Sequence, residues 1–146
     1  MREDEGSAII EFVFVAIVVL VPLVYLIAAV ATVQRAQLAV TQAARDAGRA
    51  FATSDTADEA SIRVRAAVRL ALRDQGLPDD AAVRFVRYGA ECGSPAVAPR
   101  LAPGAEFTVC VSRQVALPAV PSVVAGRGIH VVGQYVVHVD DFRTVG

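Results

Sequence analysis

Between Phe12 and Val33 the chain reads FVFVAIVVLVPLVYLIAAVATV, twenty-two residues without a charge. As a helix this run is about 33 Å long, enough for a hydrocarbon core of about 30 Å. A core helix of a small soluble domain keeps a polar side for water. This run has none, so it reads as a membrane-inserted helix. Pro22 lies within it, and proline is tolerated better in membrane helices than in soluble ones. The remainder of a 146-residue chain has room for one further small domain. The apolar share is 55% and the mean hydropathy +0.49, which excludes a disordered chain. Net charge is −1, all fourteen basic residues are Arg, and Trp is absent. A basic stripe and an aromatic platform are therefore both wanting, and no nucleic-acid partner is expected.

Three kinds of membrane segment fit the run. A cleaved secretory signal would end at Ala29-Val30-Ala31, but MREDEG has one Arg against three acids and makes a poor positive region. An unprocessed signal anchor is the second. The third turns on Gly6-Ser7-Ala8-Ile9-Ile10-Glu11-Phe12, which sets a carboxylate at the membrane entrance. Glu11 either rests at headgroup level or has a partner. A cut between Gly6 and Ser7 would make Ser7 the new N-terminus and Glu11 its fifth residue. The ammonium and the carboxylate would then be placed to pair, within one chain or between neighbours.

From GSAIIEF through the apolar run and the Ala-rich extension QLAVTQAARDAGR (37–49), the chain resembles the TadE family. These are minor pilins, or pseudopilins, of the tight-adherence (Flp) type IV pilus systems. The resemblance implies a pilin-like α+β fold: a long N-terminal transmembrane helix, a second short helix and a small antiparallel sheet. It implies a leader at 1–6, a helix over 7–51 with its span at about 12–33, and an extracytoplasmic domain over 52–146. A prepilin peptidase would cut between Gly6 and Ser7, and Gly6 leaves the scissile backbone unobstructed. Glu11 would be the pilin-type carboxylate that aids docking. The implied partners are the lipid bilayer of the cytoplasmic membrane, the peptidase, and other pilins or Tad assembly proteins. No cofactor, metal or small-molecule substrate is expected.

Two features depart from the family plan. The leader is acidic (Glu3, Asp4, Glu5), and its removal leaves thirteen basic and twelve acidic residues. Arg35, Arg45 and Arg49 follow the apolar run while Arg2 precedes it, so the positive-inside rule favours a cytoplasmic C-terminal domain. The family plan needs that domain outside. The two cysteines favour the same orientation. Cys92 and Cys110 bracket a loop rich in Gly and Pro, and a disulfide between them would persist only outside the cytoplasm. The alternative is a pair of small buried hydrophobes.

Beyond the span, Ala36, Ala39, Val40, Ala43, Ala47 and Ala50 recur at helical steps. This small-residue face covers the chain's own domain or packs on other pilins. Thr56-Ala57-Asp58-Glu59 fits a capping box that starts a second helix. Ile62, Ala66 and Leu70 mark one apolar stripe of it, widened by Val64, Ala67, Val68, Ala71 and Leu72. Arg63, Arg65, Arg69 and Arg73 read as its solvated side. Gly76 and Pro78 end it. Three β-like runs follow, Ala82–Tyr88, Glu106–Val115 and Ile129–Val139, the last two separated by Pro118, Pro121 and Gly126-Arg127-Gly128. They predict an antiparallel sheet of three or four strands.

An enzyme is not expected. His130 and His138 are about 26 Å apart along one strand and cannot share a metal. No Ser-His-acid, phosphate-loop or dinucleotide motif appears. The function class left beside a pilin-like subunit is an unprocessed single-pass protein whose small domain binds a partner or ligand.

Overall fold

The computed structural model describes residues 4–118, 126 and 128–142, with residues 4–8 described through the backbone alone. Arg2, Glu3, Pro121 and Arg127 lie outside the described residues. Helix α1 runs without a break over Asp4–Ala52, about 74 Å. Pro22 sits inside it without ending it. Helix α2 follows over Ala57–Asp74. Strands β1 (Ala82–Arg87), β2 (Glu106–Val115) and β3 (Ile129–His138) form one antiparallel sheet in the order β1-β2-β3. The architecture is α+β, with three strands among the described residues.

Local chemistry accounts for the helix ends. Thr56 caps α2, its hydroxyl accepting from the Glu59 backbone N–H at 3.2 Å. Glu59 reaches back to accept from the Asp55 N–H at 2.9 Å, one residue before the cap. That hydrogen bond, more than the neighbouring Arg63, holds the Glu59 carboxyl below its ordinary pKa. At the other end Gly76 has φ +67°, and a Schellman motif closes the helix. The Leu77 N–H donates to the Leu72 carbonyl and the Gly76 N–H to that of Arg73. Leu77 folds back on the core as that motif requires.

The core lies between α1, α2 and one face of the sheet. Ala36, Ala39, Val40, Ala43, Ala44 and Ala47 are fully buried. They pack with Phe107, Val109 and Val111 of β2 and Val131 and Val137 of β3. Small side chains let α1 lie close on the sheet, and two glycines set the closest points. A methyl on Gly133 of β3 would collide with the Val40 carbonyl; one on Gly48 of α1 would collide with the Tyr135 ring. At the far end Phe107 meets Phe51 and Phe85 edge to face while Phe51 and Phe85 are tilted to one another, with centroids 5.0–5.7 Å apart.

The face of α2 differs from the expected one. Val64, Val68, Ala71 and Leu72 point inward with Ala60, while Ile62 and Leu70 are 62% and 61% exposed. Positions 62 and 64 are about 200° apart around a helix, so one stripe alone meets α1. The stripe with Val64 and Leu72 wins because it is the wider of the two. The facing of β1, ambiguous in the sequence, has a similar cause. Val83 and Phe85 turn to the helices, while Val86 is fully buried on the opposite face. There the chain between β1 and β2 covers the sheet, with the Val97 N–H donating to the Phe85 carbonyl at 2.8 Å. A disulfide joins Cys92 in that segment to Cys110 of β2, with 5.7 Å between Cα atoms.

Candidate functional site

Helix α1 is two helices in one. From Ile9 to Val30 its large apolar side chains are bare: Phe12 is 74% exposed, Leu20 58% and Ile27 61%. From Ala36 onward one face is fully buried against the domain. A soluble chain does not leave an apolar surface of that size in water. Among the described residues this is one helix long and apolar enough to cross a membrane.

Gly6 and Ser7 lie in the first turns of α1, and Glu11 follows Ser7 by one helical turn. Glu11 is exposed at the start of the bare half. Past the bare half, Arg35, Arg45 and Arg49 line the solvent side, opposite the buried alanines. The small-residue face from Ala36 to Ala47 is occupied by the chain's own sheet and α2. It is therefore covered by the chain's own domain, and the bare half is the part of α1 left uncovered.

The remaining charged groups serve local geometry. Arg63 donates to the Thr53 carbonyl at 3.1 Å and pairs with Glu59 at 3.4 Å, tying the α1–α2 turn. Arg69 pairs with Asp79 at 3.2 Å, and Arg65 donates to the Ser61 hydroxyl. The four arginines of α2 are thus its solvated side. His130 and His138 stand at opposite ends of β3, opposite Gln114 and Glu106. The His138 ring lies 3.3 Å from both Glu106 and Asp141, and these hydrogen bonds, Glu106 first, raise its pKa above 6.5. A cleft of about 500 Å³ beside Phe51 and Phe85 is lined by Val64, Val83, Ser61 and Arg65.

Sequence reasoning missed three contacts. Arg113, 8% exposed, faces the helices with Asp80 as its ion-pair partner at 3.2 Å, while its Nε and Nη1 have no hydrogen-bond partner among the described residues. Gln37 on α1 donates to the Val132 carbonyl at 2.8 Å. The Tyr25 hydroxyl donates to the Pro118 carbonyl at 2.6 Å, linking the apolar run to the end of the β2–β3 hairpin. An alternation of apolar residues carries no signal for any of these, since each joins residues far apart in sequence.

The two halves of α1, one bare and one packed, occupy a single stretch of sequence. Residues 6–49 match the family model described as TadE-like protein. Over this segment the chain is similar to TadE-like proteins. The match starts at Gly6, takes in Glu11 and the apolar run, and ends in the Ala-rich half that packs on the domain. It is consistent with a protein similar to the TadE family. No curated protein and no solved structure matches the chain.

Proposed function

We propose that the chain is a minor pilin of the TadE type, a membrane-anchored structural subunit that takes part in assembling a Tad (Flp) pilus or the related secretion apparatus. The observation that carries this reading is the coincidence of the TadE-like match with a helix whose first half is bare and whose second half is the spine of the domain. In this reading the bare half sits in the cytoplasmic membrane before assembly and packs against other pilin helices afterwards. Prepilin peptidase cuts between Gly6 and Ser7. The freed Ser7 ammonium and the Glu11 carboxylate, one turn apart, then meet a low-dielectric surrounding in which each is costly alone and less so together. The docking role of Glu11 follows from that difference. The domain lies outside the cytoplasm, as the Cys92–Cys110 disulfide favours. Three arginines spread over fifteen residues oppose it only weakly. No catalytic step is assigned to the chain.

The test is the N-terminus of the membrane-bound product, read by mass spectrometry after expression in the native host. A start at Ser7 is expected, and Gly6 replaced by a bulky residue blocks it. A start at Met1 overturns the processing step and leaves an unprocessed single-pass protein whose outer domain binds a partner.

A further inference from the structure

Among the described residues, β1 pairs with β2 alone and is an edge of the sheet. In an antiparallel pair, alternate residues turn their N–H and C=O toward the partner strand and away from it. The Phe85 carbonyl accepts from the Val97 N–H, outside the β1–β2 ladder, so Phe85 turns outward, and Val83, two residues before it, does the same. Among the described residues no hydrogen bond reaches the Val83 N–H, the Val83 carbonyl or the Phe85 N–H. Helix α2 stands over this edge. It packs on α1, and α1 packs on β2 and β3. Between α2 and β1 lies the cleft of about 500 Å³ walled by Val64, Val83 and Phe85, with Pro99 of the β1–β2 connection beside them. A smaller hollow of about 150 Å³ continues it past Val68 and Ala81. Arg69 in that hollow is paired with Asp79 at 3.2 Å. Arg65 borders both spaces and is the one charged side chain on the larger. Its guanidinium donates to the Ser61 hydroxyl at 3.3 Å and meets no carboxylate among the described residues.

We infer that this groove takes a fourth strand from another protein, an extended segment whose inward side chains are apolar around one Asp or Glu. Open N–H and C=O groups on a sheet edge select an extended backbone, as in β-strand addition. Inward residues of the incoming strand recur at every second position, about 6.6 Å apart, and point beneath α2. The cleft lies in the size range of ligand pockets, about 300–1,000 Å³, and its walls select apolar side chains. Arg65 selects the carboxylate. A second copy's β1 does not supply it, since AVRFVR carries no acid. The groove is distinct from the segment around Gly6, so a start at Met1 leaves this inference standing.

The probe is the end-blocked peptide Ser-Leu-Thr-Glu-Thr-Val, which puts Leu, Glu and Val on one face of a strand. Hydrogen exchange of single backbone N–H groups is followed by NMR in the full chain in detergent micelles. With peptide tenfold above its Kd, the Val83 and Phe85 N–H groups are expected to exchange about tenfold more slowly. The Arg84 N–H, turned to β2, is expected to be unchanged. Methylating the backbone nitrogens of Leu, Glu and Val in the peptide abolishes the effect. Arg65→Glu weakens binding about tenfold, and a peptide with Lys in place of Glu regains it. Val83→Pro removes an edge N–H that β2 does not use, a position where proline is accepted, and abolishes binding. Arg65→Glu, on an exposed side chain, keeps the test in force if that variant fails to fold. Unaltered exchange at about 1 mM peptide, or binding indifferent to methylation and to Arg65→Glu, overturns the inference. Slow exchange of Val83 and Phe85 in the chain alone overturns it too. If it grows with protein concentration the groove belongs to a second copy, and if it does not, to the chain itself.

Discussion

Arg113 shows what a single buried charge does in this fold. Its guanidinium is buried under the helices while its partner Asp80 is half exposed. Removing one partner of a buried pair leaves the other uncompensated and costs about 3–5 kcal/mol, whereas an apolar residue of similar volume is often neutral. Asp80→Asn is therefore expected to destabilise toward the lower end of that range, since Asp80 already faces water. Arg113→Met is expected to cost less. Thermal unfolding of the full chain in detergent micelles checks both, and equal losses in the two variants would contradict the argument. Gly133 makes a second residue-scale prediction. A Cβ there meets the Val40 backbone, which cannot yield as a side chain does. Gly133→Ala is expected to cost about 1–3 kcal/mol in the same measurement, as overpacking does. A thermal midpoint unchanged from wild type would show that α1 is free to move off the sheet.

Among the elements, the hairpin β2–β3 carries its own pH response. His138 faces Glu106, its partner across the ladder, and Asp141 just beyond the strand. Its folded pKa is raised, so the stabilisation is complete below the unfolded value of about 6.5 and is lost as pH rises through the folded one. The wild-type chain is expected to lose more thermal stability between pH 6 and pH 8 than His138→Gln does. An NMR titration of the His138 ring with a midpoint at or below 6.5 would refute it. Helix α2 depends on its cap in a simpler way: Thr56→Ala removes the acceptor for the Glu59 N–H and is expected to cost about 1 kcal/mol. Intact stability of that variant in micelles would mean that packing on α1 alone holds the first turn.

At the scale of the molecule the disulfide and α1 divide the work. The bond between Cys92 and Cys110, eighteen positions apart, holds the β1–β2 connection over the outer face of the sheet. In the chain-entropy model it is worth about 3 kcal/mol, and Cys92→Ser with Cys110→Ser is expected to lose roughly that in denaturation of the full chain. A negligible loss would mean that the connection is held by its other contacts. Helix α1 joins what is in the membrane to what is outside it. On the proposed pilin reading, Glu11→Ala is expected to leave domain stability unchanged while abolishing incorporation into the filament. A subunit assembled as well as wild type would remove Glu11 from docking.

Much of this molecule follows from one-dimensional patterns. The span at Phe12–Val33, the Ala-rich face, the Thr56 cap, the Gly76 stop and the three strands each depend on residues within a few positions of one another. Their physics, whether hydrocarbon transfer, helical periodicity or backbone conformation, is therefore complete in the sequence. The pattern on which the proposed processing rests is equally local, a Gly followed by a carboxylate at the fifth place. Other features were decided only by packing. Val64 and Leu72 rather than Ile62 and Leu70 face α1, because a helix with two apolar stripes lets its neighbour choose. Val86 is buried because a distant segment is bonded over it. Gly48 and Gly133 matter because two elements approach there. The hairpin end reaches Tyr25 because the β2–β3 ladder is long enough to run back along α1, a consequence of register and docking that no stretch of residues contains by itself.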